Sequence, residues 1–178
     1  MNREASPLLR FYRRSGVDHR GRTLLDIRKM TFEELESTHD FIQWLFPLPE
    51  SSSFNTHAPL LTEDDITCFH SDSCLQGELL ASLRIMSAFY GLSVLTTAGL
   101  LTIVKSPCFD TRREAWLHPG NHNFLRITRI LRCLMICGCE AWAFSLFHCL
   151  EEIYSEFQYE IGSRTFSFWQ NAIQIDDR

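Results

Sequence analysis

Apolar residues recur every three or four positions along most of this chain, which is the spacing of amphipathic helices. The stretch that begins at Thr31 shows the pattern clearly, because Thr31 and Glu34 form the sequence of a capping box ahead of it. Pro47 and Pro49 follow the last apolar position and end the predicted helix. The sequence therefore predicts one long amphipathic helix between Thr31 and Pro47.

The same spacing returns further along the chain. It predicts helices starting at Thr62 and covering about 77–90, 122–137, 139–159 and 163–173. Two apolar segments separated by Thr97, Ala98 and Gly99 predict a short β-hairpin near 92–104. The predicted fold class is therefore mainly α, an irregular bundle of five to six helices with one small hairpin.

The first thirty residues differ from the rest in charge. They carry a surplus of five positive charges up to Lys29, although the whole chain of 178 residues has a net charge of −5. We expect residues 1–30 to form a basic N-terminal arm, with an extended segment at 23–27, and residues 31–175 to form a single helical domain. Such an arm would lie on the acidic remainder of the chain or touch phosphate or an anionic membrane surface.

Composition excludes several classes of protein. A net negative charge argues against a nucleic-acid binder. The apolar stretch 92–104 has 13 residues, fewer than the roughly 20 that cross a bilayer, so no stable membrane insertion is expected. Seven irregularly spaced cysteines indicate reduced thiols in an intracellular, cytoplasmic protein. We expect no metal and no cofactor, because Cys137 and Cys139 lack zinc spacing and no phosphate-binding loop is present.

Two ordered blocks, 35–48 and 122–131, resemble the signature of the opioid growth factor receptor family. Shorter matches at Asn55, 58–62 and 89–91 agree, so the resemblance extends from about residue 10 to 170. The animal members are described as non-classical receptors for an enkephalin peptide at the nuclear periphery. They carry long segments and repeats that this chain lacks, and short single-domain relatives occur in bacteria and fungi. The resemblance implies ligand binding and assigns no catalytic residue.

The two blocks also combine polar side chains with aromatic ones. In the first block, His39 and Asp40 are predicted mid-helix beside Trp44. In the second, a histidine, two arginines and a cysteine fall at steps of four, three and four and form one polar stripe: His122, Arg126, Arg129 and Cys133. The stripe would hold an anionic ligand, or its arginines would pair with Asp40, Glu36 or the carbonyls at the end of the first helix.

These residues support two hypotheses about function. The first is a helical module that binds a peptide or small organic ligand in an aromatic pocket, with Trp44, Asn55, Asn123 and Arg129 as ligand-binding residues. The second is a cofactor-free enzyme, an acid–base-assisted cyclase or isomerase, with catalytic residues His39, Asp40, His122 and Arg126. An excess of aromatic residues also leaves room for a homodimer face.

Overall fold

The structure is a computed structural model that describes residues 5–52 and 55–174. The chain divides into two compact units, Met1–Ser82 (unit 1) and Leu83–Arg178 (unit 2), and the boundary falls within a helix. The described residues form eleven α-helices and one two-stranded antiparallel hairpin, which confirms the predicted fold class. There are more helices than predicted because several are only one turn long. The predicted division at residue 30 stays a prediction.

Unit 1 contains short helices around an aromatic core. The helices are α1 (Pro7–Tyr12), α2 (Leu24–Arg28), α3 (Phe32–Ser37), α4 (Ile42–Leu45), α5 (Glu63–Ser71) and α6 (Ser73–Phe89), which crosses the boundary. Phe11 and Tyr12 of α1 are fully buried. The Phe11 ring lies 5.1 Å from Trp44, and the Tyr12 ring lies 4.9 Å from Phe69. The basic N-terminal segment thus supplies aromatic side chains to the core of its unit.

The long helix predicted from Thr31 is broken in two. The capping box is present: the Thr31 hydroxyl accepts from the Glu34 amide, and the Glu34 side chain accepts from the Thr31 amide. However, α3 ends at Ser37 because Thr38 is extended, with φ −97° and ψ 126°. The chain becomes helical again only at Ile42. His39 and Asp40 therefore lie in the break between α3 and α4 instead of mid-helix.

The segment 23–27, predicted as extended, is also helical. Thr23 begins α2 with a capping box of its own, since Asp26 stands three residues further on. Leu24 and Ile27 are fully buried, one helical turn apart. A local cap and one buried turn outweigh the strand preference of a short apolar segment. The extended segment was therefore a wrong prediction.

In unit 2, α6 is followed by the predicted hairpin, which is confirmed. Strands β1 (Leu92–Thr97) and β2 (Leu100–Lys105) pair antiparallel, with Thr97 opposite Leu100. The two turn residues, Ala98 and Gly99, have φ values of 51° and 81°. Positive φ at both positions is the pattern of a type I′ turn, whose twist matches that of the strands.

The remaining helices of unit 2 include three that lie close to the predicted ranges 122–137, 139–159 and 163–173, and two short ones that were not predicted. In chain order they are α7 (Phe109–Arg113), α8 (Asn123–Ile136), α9 (Glu140–Glu156), α10 (Gln158–Ile161) and α11 (Ser163–Ala172). Gly138 separates α8 from α9 with a φ of 74°. The Trp169 indole of α11 donates to the Phe124 carbonyl of α8 at 3.1 Å. Among the described residues no helix is both long and apolar enough to span a membrane.

Candidate functional site

A tight loop at residues 18–22 organises the polar part of unit 1. The buried Asp18 carboxylate accepts from the Arg20 and Arg22 amides at 2.8 and 2.9 Å, and from Arg22 Nε at 2.6 Å. The Asp18 amide donates to the Arg22 carbonyl. Gly21 has a φ of 78°, which glycine adopts without a steric cost. The loop therefore fixes the backbone on which His19, Arg20 and Arg22 stand.

Three of the side chains near this loop converge on Asp40. Arg22 Nη2 donates to Asp40 Oδ1 at 2.9 Å, and the Arg20 guanidinium forms an ion pair with Oδ2. His19 Nε2 lies 3.4 Å from Oδ2. Partial burial raises the pKa of Asp40, but the Arg22 hydrogen bond and the nearby positive charges outweigh it. The pKa of Asp40 is therefore below its ordinary value, and Asp40 is ionised near neutral pH.

The rings beside Asp40 lie nearly parallel. Trp44 Nε1 donates to His19 Nδ1 at 3.2 Å, and the two ring planes differ by 14°. The His57 ring lies 5.6 Å from the His19 ring at 16°. Because an indole N–H can only donate, His19 Nδ1 is the acceptor of this hydrogen bond. We call His19, Arg20, Asp40 and His57 the His19 surface.

Asn55 links the segment that holds His57 to the break between α3 and α4 that holds Asp40. Its side-chain Nδ2 donates to the Asp40 carbonyl at 3.0 Å, and its Oδ1 accepts from the His57 amide at 3.0 Å. Asn55 is only 7% exposed. It therefore holds His57 in position from below the surface, and a ligand would meet His57 first.

The structure brings three predicted residues of unit 1 together and places the fourth nearby. Asp40, Trp44 and Asn55 are linked through the contacts above, and Trp44 is only 5% exposed. His39 is exposed, and its carbonyl accepts from Gln43 Nε2 at 3.4 Å. Sequence analysis missed the partners of Asp40. The turn sequence at 18–21, followed by a capping threonine, was the signal that marked a structured loop there.

In unit 2, the predicted residues lie at the start of α8. The Asn121 side chain accepts from the amide of Asn123, the first residue of α8, at 2.8 Å. Asn123 is fully buried, and Arg126, 5% exposed, donates from Nη1 to Asn123 Oδ1 at 3.1 Å. His122 and Arg129 are half-buried. The Arg126–Asn123 pair is thus an internal contact of unit 2.

Four of the five cysteines of unit 2 are buried thiols, and the fifth, Cys108, is exposed. Cys133 Sγ and Cys137 Sγ lie 3.9 Å apart. Burial raises the pKa of Cys133 well above its ordinary value, and it raises the pKa of both Cys139 and Cys149 to about 12. Such thiols are poor nucleophiles at neutral pH. In the part of the chain that the structure describes, no group of three or more His, Cys, Asp or Glu side chains could hold a metal ion.

Comparison with known proteins identifies the family. Residues 3–178 match the model of the opioid growth factor receptor conserved region. The chain therefore belongs to this family of helical domains, and no solved structure matches it.

The curated relatives are much longer proteins. The human opioid growth factor receptor is 38% identical over 109 residues, which cover 61% of this chain and 16% of that protein. The mouse opioid growth factor receptor-like protein 1 is 33% identical over 114 residues, which cover 64% of this chain and 24% of the relative. The matched region thus makes up between about a sixth and a quarter of these relatives.

Proposed function

We propose that this chain is a ligand-binding module and that it binds a peptide or small organic ligand at the His19 surface of unit 1. The observation that carries the proposal is the pair of parallel histidine rings beside an exposed, oriented arginine. The relatives at 33–38% identity include proteins named as receptors, which supports binding over catalysis. The aromatic wall of this site is formed by the imidazoles of His19 and His57, with Trp44 behind them.

The chemistry of the surface suggests the kind of ligand. The Arg20 side chain is 64% exposed, and its guanidinium forms an ion pair with Asp40. A guanidinium has five N–H donors in a planar fork, so the Nη groups of Arg20 can receive a carboxylate while Asp40 holds the arginine in place. The flat His57 ring offers a face for an aromatic group. We therefore expect a ligand with a planar aromatic group and a carboxylate, as in a short peptide with a free C-terminus.

Calorimetric titration of the full chain with matched peptides tests the proposal. Each peptide carries an aromatic side chain and ends in a carboxylate or in an amide. We expect Arg20→Gln to weaken binding of the carboxylate peptide about 10-fold or more, because a hydrogen bond to a charged group contributes about 1.5–3 kcal/mol. The amide peptide should bind the wild type and Arg20→Gln with similar affinity.

Two further variants test whether a loss of binding comes from the His19 surface or from a general effect of substitution. His57→Ala should weaken both peptides, since it removes the exposed ring. Arg164→Gln, at an exposed residue of α11, is the matched control and should leave both affinities unchanged. If none of these peptides or small aromatic acids binds, or if Arg20→Gln and His57→Ala bind like the wild type, the proposal is wrong.

The other predicted site residues keep more limited roles in this proposal. Trp44 and Asn55 position His19 and His57, and Asp40 positions Arg20. The ligand-binding roles of Asn123 and Arg129 stay predictions that the same titrations test with Asn123→Ala and Arg129→Gln.

The enzyme hypothesis rests on sequence alone. The acid–base roles of His39, Asp40, His122 and Arg126 stay predictions, and turnover of any bound small molecule would test them. The intracellular location and the homodimer also stay predictions. Cell fractionation and the mass of the protein in solution, respectively, are the measurements that check them.

A further inference from the structure

Unit 1 also has a cleft that shares no lining residue with the His19 surface. It has a volume of about 360 Å³ and lies between the end of α1 and the first turns of α6. This volume is near the lower end of the roughly 300–1,000 Å³ that small-molecule sites occupy. The lining side chains combine arginine, thiol, carboxylate and apolar groups: Tyr12, Arg13, Arg14, Cys74, Leu75 and Glu78.

The end of α1 places two arginines together at this cleft. The Ser15 amide donates to the Arg10 carbonyl and the Arg14 amide to the Phe11 carbonyl, which is the hydrogen-bond pattern of a Schellman motif. Arg14 has a φ of 58°, in the left-handed region where glycine is the favoured residue. A Cβ on Gly16 would lie 2.9 Å from Cβ of Arg10, so the chain turns back closely against α1. An arginine thus occupies a position whose backbone suits glycine better.

Ion pairs fix the carboxylates near the cleft. Glu78 binds two arginines: Arg14 Nη2 lies 2.7 Å from Oε1, and Arg28 Nη1 lies 2.6 Å from Oε2. The Arg28 side chain is only 8% exposed, so this pair is largely shielded from water. The buried pair with Arg28 balances the charge of Glu78, which leaves the charge of Arg14 to act on the cleft.

The second carboxylate near the cleft, Asp72, contacts both an arginine side chain and a backbone amide. Arg13 Nη2 lies 3.5 Å from Asp72 Oδ2, and Asp72 Oδ1 accepts from the Cys74 amide at 3.0 Å. Across these ion pairs, three guanidinium groups face two carboxylates. The described charges around the cleft therefore leave one positive charge in surplus. Arg13 and Arg14 are 47% and 53% exposed, so their guanidinium groups reach solvent at the cleft.

We infer that this cleft binds the phosphate group of a small phosphomonoester, with Arg13 and Arg14 donating to its oxygens. Two adjacent guanidinium forks match the oxygens of a phosphate, and a dianion gains more from the positive surplus than a carboxylate does. The remaining volume leaves room for a small organic group beside Cys74. This site shares no residue with the His19 surface, so the two proposals succeed or fail separately.

Cys74 provides a direct reporter, because it lines the cleft and is exposed. Alkylation of the full chain by iodoacetamide, a neutral reagent, is followed at Cys74 and at Cys108 by mass spectrometry. Cys108 is exposed too and lies in unit 2, so it is an internal control. The probes are inorganic phosphate, glycerol 3-phosphate and O-phosphoserine, each compared with sodium chloride at equal ionic strength. At ten times the dissociation constant, alkylation of Cys74 should slow about 10-fold, and alkylation of Cys108 should not change.

Variants at the two arginines complete the test. Arg14→Gly keeps a backbone that suits a φ of 58°, and Arg13→Gln keeps the length and polarity of most of the side chain. Both should fold, as circular dichroism checks, and both should lose the protection of Cys74. Arg164→Gln should keep it. Protection by any of the three probes that disappears in both variants supports the site, and the tightest probe identifies the source of the phosphate. Absence of protection, equal protection of Cys108 or protection that persists in the variants overturns the inference.

Discussion

Asp40 is the residue at which the charges of the His19 surface meet. Its carboxylate binds side chains that stand 18 to 21 positions earlier in the chain, Arg22, Arg20 and His19. These contacts hold the pKa of Asp40 below its ordinary value despite partial burial. A single carboxylate thereby contacts both an exposed arginine and a histidine ring of this surface.

The lowered pKa of Asp40 predicts how stability depends on pH. A carboxylate whose pKa is lower in the folded state stabilises the protein above its ordinary pKa near 4, and this contribution is lost as the pH falls through the folded-state pKa. Asp40→Asn should lower the free energy of unfolding at pH 7 by about 1–3 kcal/mol and should reduce the further loss on acidification. Urea unfolding at neutral and acidic pH measures both effects.

Asp110→Asn is the matched control for this experiment, since the Asp110 side chain is 88% exposed and its ion pair with Arg113 is on the surface. It should change the free energy of unfolding at neutral pH by no more than about 0.5 kcal/mol. If Asp110→Asn and Asp40→Asn had equal effects, Asp40 would not be the residue that organises the loop.

The second residue-scale prediction concerns Arg126. Arg126→Met removes the hydrogen bond from the guanidinium to Asn123 Oδ1, and a hydrogen bond from a charged group contributes about 1.5–3 kcal/mol. We expect the melting temperature to fall while the helical circular dichroism is retained. Arg164→Met, at an exposed residue, should melt close to the wild type. Equal melting of Arg126→Met and the wild type would show that the Asn123 contact contributes nothing to stability.

At the scale of elements, a helix predicted from local sequence forms only where the tertiary contacts of its residues are compatible with a helix. The capping box predicted at Thr31 and the helix predicted to start at Thr62 are both present, and each start has a capping box that needs only residues three positions apart. The helix predicted from Thr31 is nevertheless broken after Ser37, where Asp40 turns toward Arg22 and the Asp40 carbonyl accepts from Asn55. Helical spacing by itself contains no information about either partner.

The hairpin turn gives an element-scale prediction. Ala98 adopts a φ of 51°, which costs an L-residue with a Cβ roughly 1 kcal/mol, and asparagine is tolerated there in type I′ turns. Ala98→Asn should therefore raise the free energy of unfolding by about 0.5–1 kcal/mol. Ala98→Val, which places a β-branched residue at positive φ, should lower it. Thermal unfolding of the two variants should change in opposite directions, and changes of the same sign would refute the turn assignment.

At the scale of the whole molecule, burial divides the cysteines into classes that the spacing did not reveal. All seven are free thiols; Cys74 and Cys108 are exposed, Cys68 is intermediate, and four in unit 2 are buried: Cys133, Cys137, Cys139 and Cys149. Burial raises the pKa of two of these four thiols to about 12. Reactivity should therefore follow position in the fold.

Thiol titration of the native chain measures the reactivity of the seven cysteines. At pH 8, Cys74 and Cys108 should react first with a chromogenic disulfide reagent, and the four buried thiols should react only when the protein unfolds. In denaturant all seven thiols should react. Rapid reaction of Cys133 or Cys139 in the native state would contradict the burial of the α8–α9 connection.

The sequence by itself determined the helical class, the hairpin, two capping boxes and the family resemblance, because each depends on residue spacing or on short ordered blocks. Only the tertiary structure decided which polar residues meet. Asp40 pairs with Arg22, which lies 18 positions earlier, and Arg28 pairs with Glu78, which lies 50 positions later. The physical reason is that a partly buried carboxylate must be paired, and many arginines of this chain could supply the pair. Chain packing selects the partner, and it thereby places the His19 surface and the cleft between α1 and α6.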